Sequence, residues 1–285
     1  MAGTRRTVSE APAPAPAPAP EAAPVPAPLR ARYAVTRSVV AGRPALRLTP
    51  RRGATGRHLL YTHGGAYAFP LQEPHWWLLQ HAAKDTGVTL TVPLYRLAPE
   101  GDARQAYALL REVYEGLCAE AGPGAVTLGG DSAGGGLALG QALTYRDTGA
   151  GRPRQVLLFS PWLDLTMSHP ALPSLEPFDP LLRTEDLIEA GRLWANGTDP
   201  RDPLLSPQFA DVTGLPPVHV FQGGRDLFAA DARLLAERLE AAGNGGTFTF
   251  EPEGEHVYVS AVWTRESRRS LAAVRGLLRS SSARA

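Results

Sequence analysis

Cysteine and lysine are almost missing from this 285-residue chain, which holds one of each, Cys118 and Lys84. A lone thiol forms no disulfide within the chain, so no oxidising compartment is required, and the neighbours Tyr114 and Leu117 mark Cys118 as a small core side chain. Charge of one sign is lacking too. Lys and Arg total 29 against 28 Asp and Glu, and that balance lacks the electrostatic footprint of a nucleic-acid binder. Nowhere do 18 uncharged apolar residues follow one another, and no apolar stretch follows Arg5 and Arg6 as it would in a signal peptide. Neither a membrane span nor an export signal is expected, and the expectation is a soluble cytoplasmic protein. Apolar residues, by contrast, are plentiful, and 44% over this length supports one sizeable core.

Residues 11–28 read APAPAPAPAPEAAPVPAP, a run with almost nothing to bury, so residues 1–30 are expected to form a disordered Ala/Pro-rich tail. Its prolines all stand on even positions from Pro12 to Pro28, so the P-x-x-P spacing that aromatic grooves read is missing and a spacer is the simpler reading. From Tyr33 onward short β-branched runs alternate with helical patterns. Eight strands are predicted: 33–40, 45–49, 58–62, 88–95, 125–129, 155–160, 218–222 and 247–251. The first two have no helix between them and should form an antiparallel hairpin at one edge of an otherwise parallel, doubly wound sheet. Helices are expected at 74–84, 102–120, 133–146, 229–242 and 259–278. The long stretch between the sixth and seventh strands, with a helix at 184–195, should be a lid insertion over about 165–215.

Between the fifth strand and its helix stands Gly130-Asp131-Ser132-Ala133-Gly134, a G-x-S-x-G motif in the strand-to-helix setting where a serine is held on a strained, exposed turn. In a glycine-rich chain the bare motif is weak, and its setting carries the argument. After the third strand comes His63-Gly64-Gly65-Ala66-Tyr67, a turn able to aim amides at a developing oxyanion. Gly64 and Gly65 are the expected donors from this turn and Ala133 the third, with His63 bracing the loop. Of seven histidines, only His256 lies in a loop between the last strand and last helix, from which it can reach Ser132 as base. The acid should follow the seventh strand, where Asp226 is preferred to Asp231, the latter lying in the next helix. Ser132, Asp226, His256 is the chain order of α/β hydrolases. Such a set needs no metal and no organic cofactor.

These motifs, with Tyr95-Arg96-Leu97-Ala98-Pro99-Glu100, Ser160-Pro161-Trp162-Leu163-Asp164-Leu165-Thr166 and Asp202-Pro203-Leu204-Leu205-Ser206-Pro207 in the same order, resemble the bacterial hormone-sensitive-lipase-like (family IV) esterases of the α/β-hydrolase superfamily over about residues 33–280. The resemblance implies that 31–285 is an α/β-hydrolase catalytic domain hydrolysing short to medium acyl esters, acetyl esters among them. It implies Ser132, Asp226 and His256 as triad and Gly64, Gly65 and Ala133 as oxyanion donors. Two departures stand out. Ala66 replaces the family's usual third glycine, and the two N-terminal cap helices of many relatives have no counterpart here but the Ala-Pro arm. A more open site or one shielded by a partner subunit in a homodimer follows as an alternative. Tyr67, Phe69 and Trp76, near the glycine turn, are the candidate substrate-contacting side chains. A catalytically silent receptor on the same fold, and an amidase or peptidase with the same triad, are the competing functions.

Overall fold

A computed structural model describes residues 21–280. Eight strands form one sheet: β1 (Tyr33–Val40), β2 (Arg43–Pro50), β3 (His58–Thr62), β4 (Thr89–Pro93), β5 (Val126–Asp131), β6 (Gln155–Phe159), β7 (Val218–Gly223) and β8 (Thr247–Glu251). Their spatial order is β1-β2-β4-β3-β5-β6-β7-β8. The hairpin β1–β2 turns through Ala41 and Gly42, both with positive φ, as a two-residue turn matched to strand twist requires. It joins β4 antiparallel, and every later pairing is parallel. From β3 to β7 every strand residue is buried, because helices cover both faces.

The helices are α1 (Ala27–Arg32), α2 (Glu73–Ala82), α3 (Ala103–Ala121), α4 (Ser132–Thr148), α5 (Leu172–Leu175), α6 (Thr184–Ala195), α7 (Ala229–Ala241) and α8 (Arg265–Arg279). Two apolar layers sandwich the sheet. One joins α3, α4 and α7 with Trp162, Leu187 and Trp194 from the β6–β7 insertion; the other joins α1, α2 and α8 through Leu29, Trp76, Leu79, Leu271 and Val274. The last helix is shorter than expected. Residues 258–260 form a separate 3₁₀ turn, and α8 starts only where Thr264 Oγ1 accepts the Ser267 amide. Among the described residues no helix is long and apolar enough to cross a membrane.

The expected boundary at residue 31 is corrected. Val25 and Leu29 are buried in the second layer, the Ala23 amide donates to Leu71 O at 2.8 Å, and Trp76 Nε1 donates to Ala23 O at 2.9 Å. Composition hid this because two apolar side chains among alanines and prolines are enough to seat a short segment. Proline is also tolerated in a helix's first turn, where its missing N–H would have had no partner. Burying Leu29 alone is worth about 1.5–3 kcal/mol. The rest of the expected tail, residues 1–20, lies outside the described residues.

Candidate active site

Ser132 opens α4 directly after β5, with φ at 51°. An L-residue in that left-handed conformation is strained, and the turn is held because strand and helix pass within contact. A Cβ on Gly130 would drive into the Gly134 carbonyl, and one on Gly134 into Thr62 O. That closeness is the physical content of the two glycines around the serine.

The β8–α8 loop brings His256 to this turn. Its Nε2 lies 3.0 Å from Ser132 Oγ and its Nδ1 3.1 Å from Asp226 Oδ2. Asp226 is fully buried after β7, and its Oδ1 accepts the Phe228 amide at 2.9 Å. The two loops are laced together, with Gly224 N donating to Glu251 O and Arg225 N to Gly254 O, while Val257 donates its amide to Ser160 Oγ at 2.9 Å. The edge of His256 meets the Phe228 ring at 5.3 Å. Burial pulls the His256 imidazolium down, but the charge and hydrogen bond of Asp226, with smaller fields from Asp179 and Asp131, more than offset it and hold the group above its ordinary value. Asp231 stands apart on α7. It is buried, its Oδ2 has no hydrogen-bond partner among the described residues, and burial, then the charge of Asp164, push its carboxyl up to about 7.

Gly64 requires a correction. Its amide donates to Asp131 Oδ1 at 3.0 Å, so that N–H is committed inside the protein and is not available to a ligand. The chain then turns through three consecutive positive-φ residues, Gly65, Ala66 and Tyr67. Among the described residues the Gly65 and Ala66 amides make no hydrogen bond within the chain. The Ala133 amide lies in the first turn of α4, where N–H groups have no intrahelical acceptor.

Beneath the turn lies a network absent from the expected site. Asp131, the residue just before Ser132, is buried, accepts Tyr61 OH at 2.5 Å on the same oxygen as Gly64, and has His75 Nε2 3.4 Å from its Oδ2. Burial raises the Asp131 carboxyl, but His75, Tyr61 and the Gly64 amide together bring it below the ordinary value; burial lowers His75, and Asp131 reverses that. A residue inside the G-x-S-x-G motif was the available signal for Asp131, whereas His75 had none. His63 stacks on Tyr95 at 4.4 Å and its carbonyl accepts Tyr95 OH at 2.8 Å; burial, then the neighbouring His75, lower it to about 4. A neutral, packed histidine there fits bracing.

Two expected substrate contacts are corrected. Tyr67 is buried, stacked on Trp194 at 4.3 Å and on Trp162 at 5.4 Å, and Trp76 is buried on the far layer against the N-terminal segment, because both large rings are drawn into apolar packing. Phe69, by contrast, is 57% exposed beside Gly65.

Comparison with known proteins agrees with this geometry. A family model described as the alpha/beta hydrolase fold matches residues 59–260. The chain belongs to that family. Within it the chain is a carboxylic ester hydrolase of the hormone-sensitive-lipase-like branch. It is 37% identical over 207 residues to an acetyl-hydrolase of Streptomyces hygroscopicus, covering 71% of this chain and 68% of that protein. It is 33% identical over 215 residues to the carboxylesterase NlhH of Mycobacterium tuberculosis, covering 71% and 66%. The chain thus spans about two thirds of the length of these relatives. The crystal structure of an esterase from the bacterial hormone-sensitive lipase family superposes with a TM-score of 0.82 at 31% identity, over 87% of this chain and 84% of that one.

Proposed function

We propose that the hydrolase acts on short acyl esters through an acyl-enzyme, with Ser132 as nucleophile, His256 as general base and acid, and Asp226 as the group that orients and balances the imidazole. The observation that carries the reading is the unbroken relay of 3.0 Å from Ser132 Oγ to His256 Nε2 and 3.1 Å from Nδ1 to Asp226. In the neutral tautomer with hydrogen on Nδ1, Nε2 accepts the serine hydroxyl. As Oγ attacks the ester carbonyl its proton passes to Nε2, and collapse of the tetrahedral intermediate returns that proton to the departing alkoxide. Water then repeats the sequence on the acyl-enzyme, releasing the acid and restoring Ser132. The negative charge on the former carbonyl oxygen falls to the amides of Gly65, Ala66 and Ala133, which replace the set containing Gly64. They are fixed before the charge appears, and the N-terminus of α4 adds its positive end.

Two things support a short acyl group. Buried aromatic rings are stacked on the insertion side, where Trp162 donates its amide to Ser132 O and its ring packs between Tyr67 and Phe228. The Streptomyces relative is, by its name, an acetyl-hydrolase. The test is a series of p-nitrophenyl esters of increasing acyl length with wild type, Ser132→Ala and Asp226→Asn. Turnover should be greatest on acetate, vanish in Ser132→Ala, and fall on the order of 10⁴-fold in Asp226→Asn as the tautomer is lost. Wild-type levels of hydrolysis in Ser132→Ala would disprove the assignment.

A further inference from the structure

The insertion contributes a carboxylate that, among the described residues, accepts from three main-chain amides. Asp179 is 2% exposed, its Oδ1 accepts Leu181 N at 2.8 Å and Leu182 N at 2.9 Å, and its Oδ2 accepts Leu227 N at 2.8 Å. The first two bonds close a local turn. The third is different in kind, because it crosses 48 residues of sequence to the residue that follows Asp226. An aspartate that only shapes a turn has no need to reach another loop. Through Leu227 the carboxylate is tied to the loop that carries Asp226, the partner of His256. We infer that Asp179 is a positioning residue for the Asp226–His256 couple, fixing the acid's loop through the Leu227 amide and adding a second negative charge to the surroundings of the histidine that becomes cationic during turnover.

The inference rests on the triad reading and extends it. The ionisable groups whose charges act on His256 are Asp226 from the β7–α7 loop, Asp179 from the insertion and Asp131 from the end of β5, and all three favour its protonated form. They are not equivalent. Asp131 is paired with His75 across 3.4 Å, so part of its field is cancelled locally. Among the described residues Asp179 has no such partner on its carboxylate; Arg183 Nη1 reaches its main-chain carbonyl, at 2.8 Å. The insertion therefore does more than cover the sheet edge. It completes the electrostatics of the base.

The experiment compares full-length wild type and Asp179→Asn on p-nitrophenyl acetate, with the pH profile of kcat/KM and the melting temperature recorded for each. The asparagine keeps the volume and one acceptor but no charge. Its His256 should shed its proton more readily, so the acid limb should move to lower pH, while kcat falls about tenfold with KM little changed, as expected when a reacting group is held less well. Should the asparagine variant fail to fold, Asp179→Ser, neutral and able to close the same turn, serves in its place. An acid limb that stays at the wild-type position, with activity lost only in step with melting temperature, overturns the inference and leaves Asp179 a turn former. Absence of Ser132-dependent hydrolysis in wild type is a separate result, and it sinks the triad reading and the inference together.

Discussion

Asp231→Asn should stabilise the protein above neutral pH while leaving turnover intact. The side chain is 3% exposed on α7, its Oδ2 lacks a hydrogen-bond partner among the described residues, and burial, followed by the charge of Asp164, pushes its carboxyl up to about 7. In the unfolded chain the same group titrates near pH ~3.9. Between those two values the folded protein keeps a proton that the unfolded chain has already shed. The stabilising contribution is therefore complete below about pH 4, declines as the pH rises, and is gone once the pH has passed about 7. A gap of about three units corresponds to at most about 4 kcal/mol. Asparagine fills the same space and cannot ionise, so the variant should recover up to that amount at about pH 8 and almost nothing at about pH 4. At roughly 2 °C per kcal/mol for a chain of this size, the melting temperature should rise by up to about 8 °C at the higher pH. Thermal melts followed by circular dichroism at both pH values, beside p-nitrophenyl acetate turnover, provide the assay. An equal shift at both pH values, or a loss of stability at the higher one, would refute the reasoning about a protonated buried acid. A collapse of turnover would show that Asp226 is not the orienting acid.

Other perturbations bear on the remaining parts of the site and fold. Ala66→Gly relieves a positive φ but loosens the unfolded chain, so stability should change by less than about 1 kcal/mol and hydrolysis should persist, since the donor is the amide; loss of kcat would show that the methyl group shapes the pocket. Asp131→Asn should lower kcat by about 10–100-fold with little change in KM, and should return the His75 titration, followed by NMR, to lower pH; an unchanged kcat would separate the network from the oxyanion turn. Leu29→Ala should cost about 2–5 kcal/mol in urea denaturation. Deleting residues 1–26 should destabilise as well, by removing Val25 and the carbonyl that Trp76 uses, and an unaltered midpoint would show that the segment contributes nothing.

Much of the architecture could be read in advance because it rests on periodicities. Runs such as Leu59–Tyr61 and Val218–Phe221 are short, mostly apolar and bounded by turn residues, which fits a strand covered on both faces. That Ser132, Asp226 and His256 come together was also legible, since each follows a recognisable strand and their order along the chain is that of α/β hydrolases. What escaped was set by single contacts. Nothing about Asp179 or His75 in isolation says that one reaches Leu227 and the other Asp131, because those partners are 48 and 56 residues distant and meet only once the sheet is assembled. The choice between Gly64 and Ala66 as amide donor depended on where the Asp131 carboxylate points, and that is a rotamer rather than a pattern. The segment 22–32 was hidden by composition, which averages away the two side chains that seat it.

Trp194 carries a consequence for how substrate arrives. Its indole belongs to the β6–β7 insertion yet lies 1% exposed in the main apolar layer, stacked almost parallel on Tyr67. Swinging the insertion outward as a flap would expose that ring and strip Tyr67 of a stacking partner, at a cost of about 2–3 kcal/mol from the indole alone. A hydrolase built this way has little to gain from an oil–water boundary. Its rate should follow dissolved monomeric ester and saturate smoothly, with no jump in activity where the substrate begins to form droplets.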